Sequence, residues 1–289
     1  MTSIGSTTEL IVPASSSGRP TFGLRLRHIP LGLLLSWAVI GVIVLFAVAP
    51  GLFTDFNPVQ GIPAEKLKGP IALHILGTDA LGRDLFARIV YGAVNSLTGA
   101  FVAVSVGLVA GTTLGLLAGA IGGLVEDAVM RVIDVLLSIP ALLLMLSIII
   151  ILGFGTVNAA IAVGISTLAG FARLARSEVV QVRRADYVEA AFGSGGTFLA
   201  VLWRHVLPNA LTSVLAYAAL QFGAAILALS TLGFLGYGAP PPTPEWGLLI
   251  AEGRNYISTA WWLTTAPGVI VVLTVLSANR ISQSLARRR

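Results

Sequence analysis

The chain has 289 residues, 56% of them hydrophobic and only 11% charged, with a formal net charge of +5. A soluble globular domain carries about 25% charged residues, so this composition excludes one and makes a bilayer the main solvent. Cysteine is absent, which removes disulfides, thiolate metal sites and cysteine nucleophiles; the positive charge falls in short arginine clusters between oily runs, a pattern of membrane topology and not of nucleic-acid binding.

Residues 1–24 are rich in Ser, Thr and Gly and read as a disordered tail. Arg25, Arg27 and His28 precede the apolar run 31–53. Ala47-Val48-Ala49 looks like a signal-peptidase site, but the run is longer than a signal core of about 7–15 residues, so it is expected to stay as an uncleaved first span. Further runs near 92–119, 132–152, 157–172, 209–236 and 260–279 complete six spans, each near the ~20 apolar residues that cross a bilayer. The expected fold is all-α, a polytopic six-span unit over residues 25–285 followed by a basic tail, 286–289.

The 54–90 loop holds Gly77-Thr78-Asp79 and Gly82-Arg83-Asp84. Asp79 with Arg83, and Asp84 with Arg88, have the i,i+4 spacing of helical ion pairs. Leu81, Leu85 and Ile89 recur every four residues, so an amphipathic helix lying at the membrane surface is expected here. In the second span Gly107, Gly111, Gly115 and Gly119 share one face, which lets another helix come close. Arg131 and Asp134 are three apart at one helix end and are expected to pair.

The 173–208 segment is polar and rich in arginine. Gly193, Gly195 and Gly196 permit a sharp turn between two short helices, Ala190 and Ala191 keep one surface small, and Pro208 suits the first turn of the next span. Phe198, Leu199, Leu202 and Val206 recur at helical spacing. The pattern predicts a helix-turn-helix resting on the membrane with a small-residue knob projecting from it. The 237–259 loop carries Pro240-Pro241-Pro242-Thr243-Pro244, read as a stiff extended connection. Trp246, before Gly247, and Trp261 and Trp262 are expected in the interfacial aromatic belt.

Of the 18 Lys and Arg residues, Lys66, Lys68, Arg83, Arg88 and Arg254 fall on one side of such a bundle and the other 13 on the opposite side. The second side, with both termini and the 173–208 loop, is therefore expected to be cytoplasmic, and the 54–90 and 237–259 loops external. Neither lysine belongs to a phosphate-binding loop, the three histidines are scattered, and no nucleophile–base set is evident. The expectation is a membrane protein with no catalytic residue, metal or cofactor site of its own. No carboxylate is expected to be buried among the spans, which disfavours a proton-coupled secondary transporter, the alternative of a different class.

Glu189-Ala190-Ala191, then Gly195, then Leu207-Pro208, resemble the EAA signature of inner-membrane permeases of binding-protein-dependent ABC importers. Gly77-Thr78-Asp79, Gly82-Arg83-Asp84, Met130-Arg131 with Asp134, Phe234-Leu235-Gly236, and Pro241-Pro242-Thr243-Pro244 with Trp246-Gly247 are similar to the C-type subunit of dipeptide, oligopeptide and nickel importers. The resemblance implies a type I ABC importer permease fold in a bacterial inner membrane. It implies a homologous second permease, two ATP-binding subunits that hold ATP and Mg, and an external substrate-binding protein. The implied cargo is a short peptide, with nickel chelates or another small solute as the alternative. Asp186, Tyr187, Glu189, Ala190, Ala191, Gly195, Leu207 and Pro208 would then couple the chain to the ATPases. Phe192 and Ser194 inside the signature, and Leu229 where an acid is usual and Gly233 where a serine is usual, depart from the family pattern.

Overall fold

A computed structural model describes residues 31–286. Expectations for residues 1–30 and 287–289, including both terminal tails, lie outside the described residues. No strand occurs among the described residues; one isolated bridge joins Thr78 and Asp84. The helices are α1 (Leu31–Val48), α2 (Leu85–Ile121), α3 (Gly123–Ser138), α4 (Ala141–Leu152), α5 (Thr156–Arg183), α6 (Asp186–Gly193), α7 (Phe198–Val201), α8 (Leu207–Phe234), α9 (Trp246–Gly253) and α10 (Trp262–Ala286). A π-helical turn, Leu202–Val206, makes α7 and α8 continuous.

Five helices are long and apolar enough to cross a membrane: α1, α2, α5, the α7–α8 rod and α10. The expected third span is broken. Ile139 leaves the helical region at φ −87°, ψ 129°, because the ring of Pro140 disfavours a helical residue before it. The chain turns by 98° between α3 and α4. At 1.5 Å per residue α4 is only about 18 Å long, short of the ~30 Å hydrocarbon core. The described residues thus hold five unbroken spans and one bent pair.

The bundle is organised by α2 against α5. A Cβ on Gly111 would stand 2.6 Å from Phe171 Cβ, one on Gly115 2.8 Å from Ala175 Cβ, and one on Gly119 2.9 Å from Val179. Gly164 of α5 returns the contact, with its Cβ position 2.7 Å from Val106. The glycine stripe therefore serves backbone packing, as expected. The 37 residues of α2 make a rod of about 55 Å. It joins two ends of the molecule: an arginine-rich end formed by residues 121–123 and 184–206, and an opposite end formed by residues 49–84 and 235–261.

The expected surface helix over 77–90 is absent before Leu85. Residues 77–84 form a tight loop instead, with Gly77 at φ +78° and Gly82 at φ +77°. The Asp79 carboxylate accepts hydrogen bonds from the backbone N–H groups of Leu81 (2.8 Å) and Arg83 (3.0 Å), an Asx turn that competes with helix. Helix α2 starts where Asp84 caps it, accepting from Ala87 N at 2.6 Å. Leu85, Ile89 and Val90 face the protein core and not lipid.

Candidate functional site: a projecting loop and a buried ion cluster

At the arginine-rich end the sequence folds into the expected helix-turn-helix. Helix α6 ends in a Schellman motif: Gly196 N–H donates to Ala191 O (3.0 Å), Gly195 N–H to Phe192 O (2.9 Å), and Gly195 adopts φ +88°. Ser194 Oγ donates to Ala190 O at 2.8 Å, so the departure at Ser194 supplies one more bond to the turn. Thr197 caps α7. The loop rests on its own spans: Val188, Val201, Val206 and Ala210 pack with Ala120 of α2 and Val179 of α5. The buried residue of α7 is Val201, whereas the predicted Phe198 and Leu199 face outward.

Arg183 fixes this junction. Its Nη1 donates to Gly119 O and Ala120 O, both at 2.8 Å, which satisfies carbonyls at the C-terminus of α2 and opposes its negative dipole end. Arg176 pairs with Glu126 of α3 (Nε to Oε1, 2.6 Å). Asp134 pairs with Arg173 at 2.7 Å and not with Arg131, because α3 lays its acidic residues against α5. On the far side of the loop Asp186, Glu189 and Ala190 are exposed, and Ala191 is half-buried against the valine cluster. Glu189 forms no ion pair among the described residues. The same segment exposes large apolar side chains: Tyr187 is 48% exposed, Phe192 40%, Leu199 64% and Trp203 65%. Leu207 and Pro208 open α8, with Pro208 in its first turn as expected.

At the opposite end the 77–84 loop, the start of α2 and α9 meet. Asp79 Oδ2 accepts from Arg83 Nε (2.6 Å) and Arg88 Nη1 (2.8 Å). Arg88 and Arg83 also reach Glu252 of α9, at 2.5 and 3.2 Å. The predicted Asp79–Arg83 pair forms, inside a loop. The predicted Asp84–Arg88 pair does not form, since Asp84 is taken by the helix cap and by His74 Nδ1 at 2.9 Å. Burial would raise the Asp79 carboxyl, but the N–H groups and guanidinium of Arg83 outweigh it and hold it below the usual range. His74 also meets Glu65 at 3.1 Å. Burial disfavours its imidazolium, yet the hydrogen bonds and charges of Asp84 and Glu65 prevail and raise it above the ordinary imidazole range. Thr78 N–H donates to Lys68 O at 2.9 Å, which stitches the loop to residues 65–68.

Trp246 is fully buried, and its Nε1–H donates to Ile89 O at 3.0 Å. It is an anchor in the protein core, not part of an interfacial belt; sequence reading also missed α9, which it opens. Trp262 is partly buried and its Nε1–H reaches Thr78 O (3.3 Å), while Trp261 is 58% exposed. Gly247 packs on α8, where a Cβ would lie 2.7 Å from Ser230 Cα. The proline run turns and is not extended: Thr243 N–H donates to Pro240 O (3.3 Å), with Pro241 and Pro242 exposed at the tip. Beyond it the loop folds Glu245 back between spans, a buried carboxylate contrary to expectation. Glu245 caps α9, accepting from Gly247 N (3.0 Å) and Leu248 N (3.1 Å). It shares a small pocket with Asn95, Thr156 and Leu229, so a carboxylate does enter the space that Leu229 lines. A Cβ on Gly233 would stand 3.1 Å from Glu245 Cδ, which accounts for glycine where a serine is usual.

Residues 111–289 match the family model described as binding-protein-dependent transport system inner membrane component. The chain is 40% identical over 253 residues to the dipeptide transport system permease protein DppC of Alkalihalophilus pseudofirmus, covering 86% of this chain and 83% of that one. The chain belongs to this family of transport permeases. Two further relatives of the permease are the di/tripeptide transport system permease protein DppC of Pseudomonas aeruginosa (41% identity; 77% and 74% covered) and the glutathione transport system permease protein GsiD of Pectobacterium atrosepticum (38%; 75% and 72%). Solved structures show the same fold. An inward-facing MetNI methionine ABC transporter chain aligns with TM-score 0.55 at 19% identity, covering 68% of this permease and 96% of that chain. An amino acid ABC transporter crystallised with histidines gives 0.56 at 16%, covering 71% and 95%. The chain is thus an inner-membrane, multi-pass permease of the type I fold.

Glu245 gives this permease a testable pH dependence. Burial outweighs its two backbone hydrogen bonds and raises its pKa from 4.5 to about 7. The folded protein therefore holds a proton that the unfolded chain releases, so stability is full below about pH 4.5 and is lost as pH rises through about 7. A shift of that size corresponds to about 3 kcal/mol. Unfolding midpoints of the purified permease should fall between pH 5 and 8, and Glu245→Gln should flatten that fall. An equally steep fall in the variant would remove Glu245 as its source.

Proposed function

We propose that this permease forms half of the transmembrane path of an ATP-driven importer of short peptides, and that its 173–208 loop is the seat for a cytoplasmic ATPase. The observation that carries the coupling role is the loop's two-sidedness. One side is clamped to α2 and α5 by Val188, Val201 and Val206, while Tyr187, Phe192, Leu199 and Glu189, which has no ion pair among the described residues, are exposed. Several large apolar side chains exposed on one polar loop support a protein contact there. The arginine excess at this end supports a cytoplasmic position, with both termini on that side. The opposite end, with Gly77, Thr78, Asp79, Gly82, Arg83, Asp84, Trp246 and Gly247, then faces outward, where Pro241 and Pro242 stand clear for an external binding protein.

The peptide cargo is supported by relatives whose names specify dipeptide, di/tripeptide and D,D-dipeptide transport. A second, homologous permease completes the path, and two ATP-binding subunits supply ATP, Mg and hydrolysis. When nucleotide closes those subunits the loop moves with them. Because α5 enters the loop and α8 leaves it, and Arg183 ties it to α2, the three spans move together and bias the bundle between inward-open and outward-open states.

Glu189→Lys should leave insertion intact and weaken capture of the ATPase subunits by the purified permease. A charge-assisted hydrogen bond buried beneath the bound ATPase is worth about 1.5–3 kcal/mol, so capture should fall by about tenfold or more. Uptake of a labelled dipeptide should fall with it. Unchanged capture together with unchanged uptake would move the ATPase contact elsewhere; normal ATPase coupling without dipeptide uptake would leave the loop and overturn the cargo.

A further inference from the structure

His74 is buried and meets a carboxylate at each ring nitrogen. Nδ1 stands 2.9 Å from Asp84 Oδ2, and Nε2 stands 3.1 Å from Glu65 Oε2. Ionised carboxylates only accept, and a neutral imidazole carries a single N–H. Both bonds therefore form together only when the ring is an imidazolium. Glu65 does not compete for that proton: its bond to His74, more than any other group, holds it below its ordinary range. The second oxygen of Asp84 is already taken by the N–H of Ala87 at the start of α2. Other groups near the ring do not replace either partner. The Phe56 ring lies 5.1 Å away, centroid to centroid. Lys68 turns to Glu65 Oε1 at 3.5 Å, and Asp79 is paired with Arg83 and Arg88.

Glu65 closes the 3-10 turn Pro63–Glu65. That turn belongs to a strap, residues 62–68, laid along the 78–82 loop. Ile62 N–H donates to Gly82 O (3.1 Å) and Leu67 N–H to Asp79 O (3.0 Å). Lys68 N–H donates to Thr78 Oγ1 (2.9 Å), and the Thr78 hydroxyl donates to Glu65 O. We propose that His74 is a proton-operated clasp: its imidazolium holds this strap to the start of α2, and loss of the proton frees the strap at Glu65. A neutral ring keeps its N–H on Asp84, the shorter bond, and turns a lone pair toward Glu65 Oε2. Two acceptors then face each other. The Glu65 side chain is 18% exposed and that of Asp84 only 3%, so Glu65 is the partner with water in reach. Burial works against the imidazolium, but the hydrogen bonds and charges of Asp84 and Glu65 prevail and raise the ring above 6.5. The clasp is thus complete below about pH 6.5 and is lost as pH rises through the raised value. It does not depend on the cargo; that the outer medium titrates it rests on the orientation proposed above.

The test is amide hydrogen exchange of the assembled transporter in lipid nanodiscs between about pH 5.5 and 8.5, a range that spans imidazole titration. Each rate is divided by the intrinsic rate at that pH. Protection of Leu67 and Lys68 should fall by about tenfold or more across the range. Glu65→Gln should abolish the fall, because an amide accepts from the imidazolium and donates to the neutral ring. His74→Gln, which takes up no proton in this range, should also give a flat profile. Leu249, whose N–H bonds to Glu245 O at 2.9 Å, reports the separate titration of Glu245 and should keep its wild-type profile in Glu65→Gln. A flat wild-type profile at Leu67 and Lys68, or a fall in Glu65→Gln as large as in wild type, would overturn the clasp. In sealed proteoliposomes with the ATPases facing out, raising the bath pH alone should leave Leu67 protected. Loss of its protection there would overturn the proposed orientation and leave the clasp.

Discussion

Gly195→Val is expected to stop transport while the permease still inserts and still assembles its spans. The residue sits at φ +88°, and a Cβ there would meet nothing within 4 Å. The loss therefore comes from the backbone and not from a clash inside the chain. A left-handed conformation costs a residue with a Cβ roughly 1–2 kcal/mol, more when it is β-branched. Relief of that strain opens the two Schellman bonds from Gly195 and Gly196, which hold α6 against α7. The α6 residues Tyr187 and Phe192 then shift relative to Leu199 of α7. Gly195→Asn should keep most activity, because asparagine tolerates this conformation. Dipeptide uptake and ATP hydrolysis in proteoliposomes separate the cases: valine should lower uptake by about tenfold or more at equal protein, and asparagine by much less. Wild-type uptake in Gly195→Val would end the coupling role of this turn.

Trp246→Ala should be the most damaging single change at the opposite end. The side chain is fully buried, and truncation of such a tryptophan costs about 3–5 kcal/mol. It also removes the indole bond to Ile89 O, which holds α9 to the start of α2. Trp261→Ala, at a 58% exposed position, should change stability by about 0.5 kcal/mol or less. Thermal unfolding of both variants in the same detergent is the comparison. Similar losses would return Trp246 to an interfacial role.

The spans could be read from sequence because a bilayer demands length and apolarity and little else. The glycine stripe of α2 was equally plain, since its period names one face. Features that failed were those where two rules competed. Pro140 stood inside an otherwise suitable run, and hydropathy does not see a bend. Asp79 and Arg83 satisfied helical spacing, but Gly77, Gly82 and the Asx turn satisfied a loop better. Trp246 suited an aromatic belt by type, and only the fold of α9 shows it facing inward. Glutamate is not one of the residue types that usually announce a helix start, so Glu245 gave no signal that α9 begins there. Ser194, an unexplained departure, proves to bond back to Ala190, and Phe192 beside it is exposed. The loop's geometry was therefore legible in its glycines, while the identity of the side that packs inward was not.

The unbroken length of α2 has a mechanical consequence. Nothing in its 37 residues provides a hinge: it contains no proline, and α5 backs its glycine stripe. A rod of about 55 Å that tilts by about 5° about one end carries the other through about 5 Å, close to the rise of one helical turn. Ala120 stands at one end of that rod and Arg88 near the other. Because Trp246 ties α9 to the start of α2, a small tilt at the Ala120 end would be delivered to the opposite end as a displacement of α2 and α9 together.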